Sequence, residues 1–203
     1  MYQNYFFDFD GTLYDTYPGM VKAFVEAFAL QGVKLSPNEV YQVMREASVR
    51  EAYRRYTTSQ LDETKLHADY RNLEEKYQVQ AKPFSGAREL LERVIANGGQ
   101  NFLLTHRDKS SLGLLERDGF LQYFTDHSTA DDGFKRKPDP EALNFLVAKH
   151  GLDPNTSVMV GDRTLDIVAG HNAKMAGVLF DPDKLIKADV QAEQIVQNLN
   201  AIK

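Results

Sequence analysis

Four short apolar runs, Tyr5–Phe9, Asn101–Thr105, Ser157–Val160 and Gly177–Phe180, stand along this chain, and most are separated by segments of helical periodicity. Alternation of that kind constrains the fold more than any other feature, because strands joined through helices pair in parallel. It predicts an α/β fold with a parallel sheet. The helix signals agree. Asp139 and Pro140 read as N-cap and first helical residue before "EALNFLVAKH", and Gly151 follows as the terminating glycine. Ser85 opens "GARELLERVIAN", which ends at Gly98 and Gly99, and Asp108 can cap "KSSLGLLER" before Gly119.

Residues 17 to about 82 break the alternation, since they carry helical patterns and no convincing strand. A helical insertion is the natural reading. Val21, Phe24, Val25, Phe28 and Ala29 form one face of a first helix, and "SPNE" at 36–39 reads as a capping box opening a second. "REASVREAYRRY" at 45–56 reads as an amphipathic helix whose Arg50, Arg54 and Arg55 make a solvated basic face, and "LDETKLHADYRNLEEKY" supplies a last helix. "KPFSG" at 82–86 is the expected return hinge.

The remaining bulk properties narrow the chemistry. With 203 residues and 42% hydrophobic content the chain buries one sizeable core. Its net charge of −5, without a long run of one sign, leaves no electrostatic footprint for nucleic acid or an acidic membrane surface. No segment has the length and apolarity of a membrane span, and no charged n-region precedes an apolar h-region, so the cytoplasm is the expected compartment. The absence of cysteine excludes disulfides, thiolate catalysis and Cys-based zinc sites. Any metal must be held by oxygen or histidine.

The first apolar run ends in "DFDGT", residues 8–12. Buried carboxylates cost several kcal/mol unless compensated, so a pair there needs a reason. In an open parallel sheet ligands bind beyond the carboxyl ends of the strands, and alternation along an extended chain would send Asp8 and Asp10 to the same side, where two oxygens suit a hard cation. Gly11 allows a sharp turn, and Thr12 offers a hydroxyl to the turn or to an anion. Single aspartates at strand ends are commonly structural, but D-x-D-G-T arises by chance in only roughly one chain in a thousand of this length. Three further elements lie at comparable places: Thr105 in "LLTHR", Lys137 in "FKRKPDP" just before a helix, and Asp162 and Asp166 in "VMVGDRTLD". Each alone reads as a cap, a turn or a surface charge. Their coincidence in order and position lets all four meet at one edge of the sheet.

With those residues in place, the sequence resembles the haloacid dehalogenase-like superfamily, in its phosphatase branch with a helical cap. The resemblance covers essentially the whole chain and implies a Rossmann-like catalytic core of residues 1–16 and 83–203 with an all-helical cap, residues 17–82, inserted. It implies that Asp8 is the nucleophile forming an aspartyl phosphate and Asp10 the general acid and base. It gives Thr105, Lys137 and the Gly11 turn to the phosphate, and it gives Mg²⁺ to Asp8, the Asp10 carbonyl and Asp162, with Asp166 orienting that shell. The dehalogenases lack an acid at the position of Asp10, which favours phosphate chemistry. The phosphosugar mutases carry a histidine where Met20 stands here, which favours simple hydrolysis over isomerisation.

Relatives usually place a small or amide residue after the threonine of the second motif, whereas His106 and Arg107 follow it here; either they add contacts to an anionic substrate, with His106 a candidate phosphate contact, or they face solvent. "DTYPGM" at 15–20 resembles phosphoglycolate phosphatases, so a small acidic phosphomonoester is the implied partner of a monomer or weak homodimer. The alternatives are a phosphosugar mutase and a non-catalytic phosphate-binding regulator.

Overall fold

A computed structural model describes residues 2–186 and 191–203. In chain order the elements are β1 (Asn4–Phe7), β2 (Tyr14–Asp15), α1 (Tyr17–Ala29), α2 (Pro37–Glu46), α3 (Val49–Tyr56), α4 (Glu63–Gln78), β3 (Lys82–Pro83), α5 (Ala87–Ala96), β4 (Gln100–Leu104) and α6 (Ser110–Arg117). There follow β5 (Asp126–Ser128), α7 (Glu141–His150), β6 (Ser157–Gly161), α8 (Thr164–Asn172), β7 (Ala176–Phe180) and β8 (Gln194–Val196). Contacts divide the chain into two compact units, one of residues 1–14 and 83–203 and one of residues 15–82.

The first unit is built on a six-stranded sheet in the order β5-β4-β1-β6-β7-β8, parallel throughout. Its four inner strands are buried over nearly their whole length and mostly apolar, because helices cover both sheet faces. On one face Phe6, Phe102, Leu104 and Met159 pack with Leu143 and Leu146 of α7 and Ala169 of α8, and the rings of Phe6 and Phe102 stack 4.8 Å apart. Each such side chain taken fully from water contributes about 1.5–3 kcal/mol. The chain runs outward from β1 through β4 to β5, then returns to the other side of β1 to lay down β6, β7 and β8. That reversal makes the carboxyl end of β1 a switch point in strand order, where an open α/β sheet binds its ligand. Register delivers the candidate residues there, with Phe7 opposite Leu103 on one side and Val160 on the other.

The second unit holds four helices around a core of its own: Val21, Phe24 and Phe28 of α1 meet Val40, Val43 and Met44 of α2, Ala52 of α3 and Leu66 of α4. The spacing from Val21 to Phe28 is the apolar stripe that the sequence predicts, although Ala29 is exposed and Ala23 and Ala27 are buried instead. The predicted helix over 45–56 is two helices, interrupted at Ala47 and Ser48, where the Ser48 side chain accepts from Glu51 N at 3.0 Å and caps α3. Arg50, Arg54 and Arg55 are exposed, and Arg54 pairs with Glu51. Ser36 is the N-cap of α2 but its side chain makes no cap hydrogen bond, so the capping box is absent. Pro140, not Asp139, is the N-cap of α7; the Asp139 carboxylate still accepts from Glu141 N at 3.0 Å. Among the described residues no helix is long and apolar enough to cross a membrane.

Candidate active site

The site grows from the end of β1. That strand stops at Phe7, and a tight turn follows in which Leu13 N and Tyr14 N both donate to Phe9 O. Gly11 sits in the turn at φ 73°, in the left-handed region that glycine adopts without strain, and its amide donates to Tyr14 O at 2.8 Å. The Gly11 amide is thus committed within the turn. Because the chain turns at Phe9, between the two acids, strand alternation does not carry the second carboxylate beside the first. Asp8 points into the protein and is buried, whereas the Asp10 carboxylate meets Arg107, whose Nε lies 2.9 Å and 3.2 Å from its two oxygens. The Thr12 hydroxyl is buried without a hydrogen-bond partner.

Lys137 is the cation that enters the centre. Lys135 and Arg136 beside it are exposed, and Lys135 lies 3.7 Å from Asp139. The Lys137 ammonium is buried, with its Nζ 2.9 Å from Asp8 Oδ1 and 2.7 Å from Asp166 Oδ1, and it donates to the Leu104 carbonyl at 3.1 Å. Burial opposes its charge, but the carboxylates of Asp166 and Asp8 outweigh burial and hold its pKa above the ordinary lysine value. Burial also opposes the Asp8 charge, yet Lys137, with Arg163 adding to it, holds the Asp8 carboxyl below the usual range. At Asp166 burial prevails, reinforced by the charge of Asp8, and its carboxyl is raised. Two carboxylates share one ammonium, and Asp8 is the one whose carboxyl is held down. An ionised Asp8 is what nucleophilic attack by a carboxylate requires.

Asp162 follows β6 and is buried, and Asp166 lies in the first turn of α8 with its Oδ2 accepting from Arg163 N at 3.1 Å. One oxygen from each of Asp8, Asp162 and Asp166 falls within a 4.8 Å cluster. The Asp10 carboxylate is not part of that cluster. Asp8 Oδ2 is buried and receives no hydrogen bond, and the three acids exceed the two cations beside them, Lys137 and Arg163. A hard divalent cation held by oxygen ligands would supply both the missing partner and the missing charge. The residues present fit Mg²⁺.

Gly161 makes this clustering possible. A Cβ on Gly161 would stand 2.2 Å from the Asp166 Cβ and 2.5 Å from its Oδ2. No side-chain rotation of Asp166 relieves a collision with its own Cβ, so the carboxylate or the α8 backbone must move. Gly161→Ala is therefore expected to lower the melting temperature and to cut activity by roughly 10²-fold, since a displacement of about 1 Å at a reacting centre has that effect. Thermal melts and steady-state kinetics of this one variant check both; wild-type values in both would show that α8 is free to shift.

Thr105, His106 and Arg107 continue from β4. Thr105 is buried, and its Oγ1 accepts from Arg107 N at 3.0 Å. His106 Nε2 accepts from Lys137 N at 2.7 Å, and burial, with the charges of Lys137 and Arg136 adding, pulls its pKa down to about 3. The ring is neutral at physiological pH, with its proton on Nδ1. Sequence reasoning singled out His106 and Arg107 as departures but assigned Arg107 no partner, because its partner Asp10 is 97 residues away. Arg163, whose place in the sequence carries no signal of a role, follows Asp162 directly, with Nε 3.9 Å from Asp162 Oδ1.

Known proteins share this arrangement of sequence. The chain is 30% identical over 181 residues to a phosphoglycolate phosphatase of Vibrio parahaemolyticus, covering 84% of this chain and 79% of the relative. A relative from Clostridium perfringens that carries a pyrophosphatase name is 27% identical over 214 residues, covering 96% and 97%. The crystal structure of a hydrolase from Streptococcus pneumoniae TIGR4 superposes with a TM-score of 0.68 at 34% identity, over 88% of this chain and 92% of that one. The model of the haloacid dehalogenase-like hydrolases matches residues 5–180, which span β1 to β7 and every candidate residue, and the chain belongs to that family.

Proposed function

We propose that the protein is a Mg²⁺-dependent phosphomonoester hydrolase of the cytoplasm, with residues 17–82 as a cap that selects the leaving group. The observation that carries this reading is the buried Lys137 ammonium bridging Asp8 and Asp166, which leaves Asp8 as the compensated, ionised nucleophile at the switch point of the sheet. A carboxylate oxygen of Asp8 attacks phosphorus, the bond from phosphorus to the leaving oxygen breaks, and Asp10 delivers the proton that oxygen needs. Asp10 then takes a proton from water, which attacks phosphorus of the aspartyl phosphate and regenerates the Asp8 carboxylate. Lys137 and the Thr105 hydroxyl stabilise the phosphoryl oxygens, because phosphoryl transfer is chiefly positioning and charge stabilisation. Arg107 fixes the orientation of Asp10. Mg²⁺, held by Asp8, Asp162, Asp166 and the Asp10 carbonyl, would offset the repulsion between a phosphate dianion and a carboxylate nucleophile.

The substrate is assigned to the small acidic phosphomonoesters of the phosphoglycolate kind, supported by "DTYPGM" and by the name of the Vibrio relative. Phosphate release from a panel of phosphoglycolate, sugar phosphates, nucleotides and pyrophosphate, each with Mg²⁺ and with EDTA, tests the proposal. Release that requires Mg²⁺ and is greatest from a small acidic ester is the expected result. Absence of release from every compound would transfer the assignment to a non-catalytic phosphate-binding protein.

A further inference from the structure

The loop that delivers Lys137 has few ways of being held. Pro138 and Pro140 have no amide proton to donate, Lys135 N is taken by the Glu141 side chain, and Asp139 N closes a turn on Arg136 O. A cleft of about 60 Å³ lined by Leu104, Thr105, His106, Ser128, Phe134 and Lys137 among others borders the loop. Besides the carboxylates of Asp8 and Asp166 on its ammonium and the Asn172 amide on the Pro138 carbonyl, two contacts to Lys137 come from the end of β4. The Leu104 carbonyl takes its ammonium at 3.1 Å, and the imidazole of His106, two residues on, takes its backbone N–H at 2.7 Å. Lys137 is thereby gripped at both ends by one short stretch of chain, and that grip sets where its ammonium stands relative to Asp8.

We propose that His106 is a positioning residue for the reaction, its Nε2 tethering the Lys137 main chain to the end of β4 so that the ammonium meets the nucleophile. The position is occupied by an acceptor for the protein's own backbone instead of a group offered to substrate. This inference rests on the phosphomonoesterase reading for its kinetic consequence, but the tether itself does not. An imidazole can accept at Nε2 only while that nitrogen is unprotonated, and burial among cations keeps it so. Glutamine can place its amide oxygen close to where Nε2 stands, whereas leucine fills similar space and accepts nothing.

The test has a spectroscopic and a kinetic arm. In the wild-type protein, ¹⁵N-resolved NMR of the His106 ring between pH 5 and 8 is expected to show protonated Nδ1, unprotonated Nε2 and no titration. His106→Leu is expected to lower kcat by roughly 10²-fold, the scale of a small misplacement of a catalytic group, and to do so equally for every ester hydrolysed. His106→Gln is expected to recover most of that loss. The proposal is overturned by a protonated Nε2, by a His106→Leu enzyme as active as wild type, by equal damage in both variants, or by a loss confined to one ester, which would place His106 on the leaving group. A wild-type protein inactive on all esters would defeat the phosphomonoesterase reading, and the ring spectrum would still decide the tether.

Discussion

Replacing Asp8 by asparagine is expected to abolish phosphate release, by roughly 10⁴-fold or more as for the loss of other catalytic nucleophiles, while leaving the protein folded. Asparagine matches aspartate in shape, and its carbonyl oxygen can still accept from the Lys137 ammonium now 2.9 Å from Asp8 Oδ1. The substitution even relieves a conflict, since Asp166 would then have the ammonium to itself. Stability should respond through acid pH. The folded protein holds the Asp8 carboxyl below its unfolded value of 3.8, so this group's contribution is present above that pH and lost as pH falls through the folded pKa. Asp8→Asn removes that contribution and should flatten the acid limb of the stability curve. Circular dichroism, thermal melts from neutral to acid pH and a phosphate-release assay on one preparation decide the matter. Wild-type turnover in a folded Asp8→Asn protein would remove Asp8 from the mechanism.

Lys137→Met is expected to do the opposite to the fold. Methionine approximates the stem of lysine but leaves Asp8 and Asp166 buried with no ammonium between them, and stranding buried charge in this way costs about 3–5 kcal/mol. Without Lys137 burial meets less opposition at both carboxyls, which are expected to rise above their unfolded values, so that the folded state binds more protons than the unfolded one at pH values between the two. Stability of the variant therefore falls as pH rises through that window, and its deficit against wild type should narrow on acidification. Denaturant unfolding at neutral and mildly acid pH measures this. A deficit that is constant with pH would mean that lost packing, not stranded charge, is the cause. Activity should be lost in the same variant wherever it remains folded.

These expectations depend on features that differ in how openly the sequence carries them. The four inner strands were legible because a strand covered on both faces must be apolar throughout. The two edge strands were not: β5 reads "DHS" and β8 "QIV", and a strand with a neighbour on one side only has no need of a long apolar run. The order of Asp8, Thr105, Lys137, Asp162 and Asp166 was legible as strand ends and helix starts. The arrangement of Asp10 was not, because alternation holds only while a chain stays extended, and β1 stops before Asp8. Nor can spacing reveal that Arg107 reaches back 97 residues to Asp10, or that an imidazole accepts a backbone proton 31 residues away. Such pairings belong to the register of β4 against β1 and to the course of one proline-rich loop.

The pairing of β2 with β3 has a consequence for how such a chain can change over time. The two strands bring the first and last residues of the helical unit side by side. An insert whose ends already touch asks of its host only that one short gap be bridged, whatever its own length, because the entropy of closing a loop grows only slowly with the number of residues in it. The helices between Asp15 and Lys82 also surround apolar side chains of their own. Exchange of that module for another of different size would leave the register of β1, β4 and β6, and with it the placing of Asp8 beside Lys137, undisturbed. The helical module and the sheet that places Asp8 beside Lys137 are in this sense separately heritable parts of a single chain.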